Sequence, residues 1–254
     1  MSTSLTSKAN SLPAMALPDS LLTELAGLRA LDHLDREDRP LPTLAFNTKF
    51  QLPDGSWARK DVFVNSLTEE VKPEIRAVLL HLKKTRRYAV YTEGSGFDVK
   101  CESDDLAEGV THDGEVVDCS TCSHKSWGNG HGRDAAPKCG VIYHLLGIDL
   151  DDGSPFLLRA KATSLRPVQR YLARYFLGKL KLADGSYADL PLFTHQTKLS
   201  LMMPTGTYAV LNMENAGACT ETEIRTYKSL YENLRGIGRI DPDDDLPENG
   251  GGEG

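Results

Sequence analysis

The chain has 254 residues, 40% of them hydrophobic and 26% charged, and a formal net charge of -7. That is enough apolar content for one sizeable core with a smaller appendage, and no uncharged apolar run approaches the roughly 20 residues needed to cross a bilayer. The amino terminus lacks the charged start and apolar centre of a secretory signal, so a soluble protein of a reducing, cytoplasmic compartment is expected, with no membrane partner.

Residues 1–40 are rich in Ser, Ala, Leu and Pro and are read as a flexible N-terminal arm carrying one amphipathic helix, Asp19 to Leu31. The main domain is read as residues 41–240. It opens with a hairpin-like stretch, Leu44 to Leu67, turning at Asp54-Gly55, and a helix is expected from Thr68 to Lys84. Arg87 to Cys101 reads as a strand with a Gly-Ser-Gly irregularity. After a cysteine-rich insertion at 101–139, Gly140 to Asp149 and Pro155 to Thr163 form two extended runs joined at Asp151-Asp152-Gly153, a hairpin turn signal.

Ser164 then stands as a candidate N-cap for a helix on which Val168, Tyr171, Leu172 and Tyr175 recur at helical spacing. Leu192 to Met203 and Thr207 to Met213 follow as a second hairpin, turning at Pro204-Thr205-Gly206, and Thr222 to Leu234 is a final helix. The last segment, 241–254, holds Asp241, Asp243, Asp244, Asp245, Glu248 and Glu253 without a base, and reads as a disordered acidic tail. Without it the chain is nearly neutral.

The expected fold is mainly β with helices, of the α+β class. From Arg87 onward the order of elements is that of an OB-fold, a five-stranded partly open barrel with its helix between the third and fourth strands. Here a zinc-binding insertion would lie between the first two.

Five cysteines and no secretory signal point to metal rather than to disulfides. Cys101 ends one strand, Cys139 begins the next, and Cys119-Ser-Thr-Cys122 lies between them. A CxxC turn brings two thiolates to one tetrahedral ion, and two more close its shell. The site is therefore expected to hold a structural zinc, with His112, His124 or His131 as alternative ligands. Cys219 reads as an ordinary free thiol.

Along Pro155 to Thr163, Phe156, Leu158, Ala160 and Ala162 alternate with Leu157, Arg159, Lys161 and Thr163, one set packing and the other exposed. From Phe156 to Lys181 the chain carries seven cations and no carboxylate. A second basic run, Lys83, Lys84, Arg86 and Arg87, leads into Tyr88 and Tyr91. Cations neutralise phosphates and rings stack bases, so a surface for single-stranded nucleic acid is expected from Arg86, Arg87, Tyr88, Tyr91, Lys125, Trp127, Tyr143, Arg159, Lys161 and Lys198. Tyr171 and Tyr175 are read as core, and Tyr88, Tyr91 and Tyr143 stand between core and stacking roles. No HxE paired with PCxxC, phosphate loop or HExxH is present, and no enzyme activity is expected.

The stretch CSTCSHKSWGNGHGRDAAPKC and the later PFLLRAKATSL resemble zinc-containing proteins of tailed bacteriophages and mobile elements. The shared pattern is a CxxC, a Trp-Gly, a further Cys, and "PF, apolar, Thr-Ser-Leu", here Cys119, Cys122, Trp127, Gly128, Cys139, Pro155, Phe156, Thr163, Ser164 and Leu165. The resemblance spans about residues 100 to 180. In overall plan the chain is also similar to phage helix-destabilising proteins, which carry an OB-fold, an embedded zinc subdomain and an acidic tail, although their zinc ligands include a His. The resemblance implies a phage-like replication or host-takeover setting in a bacterial host cell. With the cations, aromatics and acidic tail, the expected function is single-stranded-DNA binding in replication or recombination, without catalysis, the tail recruiting partner proteins. The alternative is an inhibitor or adaptor of a host nucleic-acid enzyme.

Overall fold

The structure is a computed structural model that describes residues 41–46, 61–92, 96–126 and 137–235. The expected helix at Asp19 to Leu31, the Asp54-Gly55 turn, Gly94-Ser95, Trp127, His131 and the acidic tail lie outside the described residues.

The strands are β1 (Thr43–Ala45), β2 (Phe63–Asn65), β3 (Val71–Lys72), β4 (Glu74–Thr92), β5 (Gly96–Ser103), β6 (Glu108–Thr111), β7 (Val116–Asp118), β8 (Cys139–Asp149) and β9 (Pro155–Lys161). Helix α1 (Leu165–Leu177) follows, then a small separate hairpin of β10 (Lys179–Lys181) and β11 (Tyr187–Asp189). The chain then forms β12 (His195–Met202), β13 (Val210–Ala218) and helix α2 (Glu221–Arg235). The fold is α+β, built on one mixed sheet.

Strand β4 organises it. One edge pairs with β8 from Ala77 to Tyr88. The other edge forks, pairing with β12 over Glu74 to Val78 and with β5 over Arg86 to Thr92. Beyond β8 lie β9, β1, β2 and β3, and beyond β5 lie β6 and β7.

The helix expected from Thr68 to Lys84 is corrected by this strand. Ile75, Ala77 and Leu79 enter one core, while Val78 and Leu80 enter another on the opposite face. A strand buried on both faces shows no polar alternation, so its apolar run is indistinguishable from a helix by periodicity. The first long strand therefore begins at Glu74, not at Arg87. Its register shifts between Leu79 and His81, where Leu80 bulges.

The two later hairpins form as expected, and the ends of the first stretch pair. β8 and β9 pair antiparallel, as do β12 and β13, and β1 pairs antiparallel with β2. β9 ends at Lys161, however, and Ala162 turns away into a 3-10 turn with φ 50, exposed instead of packed. Leu157, expected on the exposed face, is buried. The sheet is not closed into a barrel: among the described strands β13 pairs with β12 alone, and the free edge of β9 is taken by β1, which runs parallel to it.

Helix α1 lays Val168, Tyr171, Leu172 and Tyr175 on one face of the sheet, as its spacing requires. The Tyr171 hydroxyl satisfies itself on the fully buried Thr197 Oγ1 at 2.6 Å. Ser164 holds the N-cap position without capping, since its Oγ accepts the Leu211 N–H of β13 at 3.1 Å. Helix α2 covers the opposite face with Ile224, Tyr227, Leu230 and Tyr231. It starts at a capping box, in which the Thr220 N–H donates to Glu223 Oε2 (2.7 Å) and the Glu223 N–H to Thr220 Oγ1 (3.3 Å). None of the described helices is long and apolar enough to cross a membrane.

Candidate functional site

Two features stand on opposite faces of the β5-β4-β8-β9 region. Cross-strand partners share a face of a sheet and successive residues alternate, so the register assigns each side chain.

On the α1 face, Tyr88 is paired on one side with Cys101 and on the other with Cys139. β6 and β7 fold over Cys101, and a 3-10 turn, Ser123–Lys125, carries His124 onto Tyr88, their rings 4.6 Å apart and stacked. Cys101, Cys119, Cys122 and Cys139 line one pocket of about 680 Å³ together with Arg86 and Tyr88. Cys119 and Cys139 are buried, and Cys101 and Cys122 half-buried. Burial pushes the Cys101 thiol up, and Cys119 and Cys122 push it further. Burial does the same to Cys139, opposed by the Arg86 guanidinium, which hydrogen-bonds its sulfur.

Gly109 is shaped to this pocket, because a Cβ there would meet Cys101 Sγ at 2.8 Å. The fold thus brings four cysteines to one pocket from three places in the chain: β5, the CxxC turn and the start of β8. Four soft sulfur donors lining one pocket suit zinc, which binds thiolates and offsets their mutual repulsion. Among the described residues no group of three or more His, Cys, Asp or Glu side chains is arranged to hold a metal ion as the side chains stand. His112 meets Asp113 instead, at 3.1 Å.

On the other face, β4, β8 and β9 set Lys83, His144 and Arg159 in one cross-strand row, and Thr85, Ile142 and Lys161 in the next. Arg87 continues this face along β4. His144 is only 6% exposed; it shares a 2.8 Å hydrogen bond with Thr85 through Nε2, and among the described residues its Nδ1 has no hydrogen-bond partner. Burial, followed by the charges of Arg159, Lys83 and Arg87, lowers its pKa to about 4, against a small opposing effect of Asp104. The imidazole is neutral at pH 7. These cations therefore share one field around a buried ring.

The residues expected to bind nucleic acid are thus divided. Arg87, Arg159 and Lys161 lie together on the outer face. Lys198 is on the same face but on β12, ion-paired with Glu74 at 2.6 Å. Arg86 and Tyr88 belong to the cysteine pocket, as does Lys125, which donates to the Ser120 carbonyl. Tyr143 is corrected to core: it is 7% exposed, with Lys84 over its ring at 5.7 Å. Tyr91 pairs through its backbone with Phe97 near the end of the β4-β5 hairpin. Two members of the outer face, Thr85 and His144, were missed. The lone His in the apolar run Val141 to Ile148 was the available signal.

Comparison of the chain with models of protein families, with curated proteins and with solved structures returns no match.

Proposed function

We propose that this chain binds single-stranded DNA, without catalysis, in a phage-like replication or recombination setting within a bacterial host cell. The observation that carries the reading is the outer face of β4, β8 and β9, where Lys83, Arg87, Arg159 and Lys161 surround the neutral His144. Strands β4, β8 and β9, helix α1, and β12 and β13 follow one another in the order of an OB-fold, and β4 pairs with both β8 and β12 as a first OB strand would. We read the sheet as an opened OB-like barrel in which β1 takes the edge that closure would use. In such folds the second and third strands, here β8 and β9, face the ligand.

In this reading Cys101, Cys119, Cys122 and Cys139 hold a structural zinc that keeps the β5–β7 insertion folded against Tyr88. The metal closes no reaction; four thiolates leave it no open position. Tyr88, stacked on His124, then serves the metal lobe and not a base. The acidic segment from Asp241 to Glu253 recruits replication or recombination proteins through their basic surfaces.

The test is the affinity of a fluorescent oligo-dT across a salt series, for the full chain and for R159Q and K161Q. Affinity should fall steeply with salt, and each variant should weaken binding and lower the salt slope by about one. Binding indifferent to salt, or unchanged in both variants, would sink the reading. Stoichiometric capture of a partner protein, with no oligonucleotide binding, would favour an inhibitor or adaptor instead.

A further inference from the structure

The basic face already carries counterions, and they come from the cysteine insertion. Lys83 Nζ lies 2.8 Å from Asp104 Oδ1, and Arg87 is ion-paired with Glu102. Glu102 follows Cys101 directly, and Asp104 lies two residues further on. Strand alternation sends Cys101 and the buried Ser103 to the pocket face and Glu102 to the outer face.

The turn after β5 then places Asp104. Its neighbour Asp105 uses Oδ1 on the backbone N–H groups of Ala107 and Glu108, at 2.8 and 3.0 Å, and Ser103 Oγ accepts from the Leu106 N–H. Asp104 is held by a turn that others tie, and its carboxylate meets Lys83 while remaining 71% exposed.

We propose, resting on the DNA-binding reading above, that Asp104 and Glu102 compete with phosphate for Lys83 and Arg87. A bound strand exchanges these carboxylates for its own phosphates, so the insertion sets how tightly the face grips. Such an exchange is easy at Lys83 because an exposed ion pair is weak in water and weaker in salt. It is harder at Arg87, whose side chain is 14% exposed. Lys83 and Arg87, the cations beside the insertion, are therefore held back by its carboxylates until phosphate replaces them.

The experiment compares the full-length chain with D104N, with D151N, and with both Asp104 and Asp151 changes in a K83Q background, reading labelled oligo-dT affinity at low salt. Asp151 is an exposed acid in the β8-β9 turn, so D151N matches the change in net charge at a place remote from Lys83. D104N should bind about three- to fivefold tighter than the natural chain, the range of an exposed pair removed. D151N should change affinity by less, and the gain should vanish when Lys83 is Gln. A D104N gain no larger than that of D151N, or one that survives K83Q, overturns the proposal while leaving DNA binding intact. Absence of binding by every form overturns the DNA-binding reading itself, and the proposal with it. Matched thermal melts of D104N and the natural chain confirm that affinity, not folding, is being read.

Discussion

His144 makes the most direct test of the basic face, because its environment converts into a pH dependence with a definite sign. Its pKa is about 4 in the folded chain and about 6.5 in an unfolded one. The unfolded chain therefore takes up the proton first as pH falls. The stability associated with the neutral ring is fully present above about pH 6.5, is lost progressively down to about pH 4, and then stays constant. At about 1.4 kcal/mol per pH unit the whole loss is roughly 3 kcal/mol, and about 2 kcal/mol of it falls between pH 7 and pH 5. Urea unfolding at several pH values between 7 and 5 measures this directly, with H144Q as the comparator that cannot titrate. The natural chain should lose about 2 kcal/mol more than H144Q over that range. Parallel pH profiles for the two would refute the placement of a buried, neutral imidazole among Arg159, Lys83 and Arg87. Oligonucleotide binding adds a second reading: phosphates would offset those three cations, so the imidazole proton signal should titrate at higher pH in the complex.

The remaining predictions concern packing and metal. At Gly147 a Cβ would lie 2.6 Å from Phe156 Cζ and 3.1 Å from the Val78 carbonyl oxygen, so G147A should cost about 1–3 kcal/mol in urea unfolding. G109A crowds the Cys101 sulfur in the same way, and C119S removes a thiolate outright. Both should release the zinc that the natural chain is expected to carry at one per chain by elemental analysis, and should expose the insertion to protease. Zinc retained at full occupancy in C119S would exclude Cys119 as a ligand.

The β8-β9 and β12-β13 hairpins were legible in the sequence from their turn signals, Asp151-Asp152-Gly153 and Pro204-Thr205-Gly206, and the apolar stripe of α1 from its helical spacing. The meeting of the cysteines was partly legible, since strand ends flanking a CxxC leave few other places for Cys101 and Cys139. β4 was not legible: Ala77 to Leu80 are buried on both faces by two helices distant in sequence, which erases the period of two that marks a half-buried strand. Nor could composition tell Tyr143 from Tyr88. One lies under α1 and the other beyond it, between Cys101 and Cys139.

What the sequence by itself determined is which residues of a strand share a face: once β4 is a strand, Arg86 and Arg87 must point in opposite directions. Only the tertiary structure decided which of those faces holds the cysteines and which the cations, because that depends on pairings with β5, β8 and β9 across dozens of residues. The same long-range pairing sets Asp104 on Lys83 and lays β1 along β9, in a sheet whose element order alone suggested a partly open five-stranded barrel. Local chemistry writes the alternation, and non-local hydrogen bonding and burial select what each side meets.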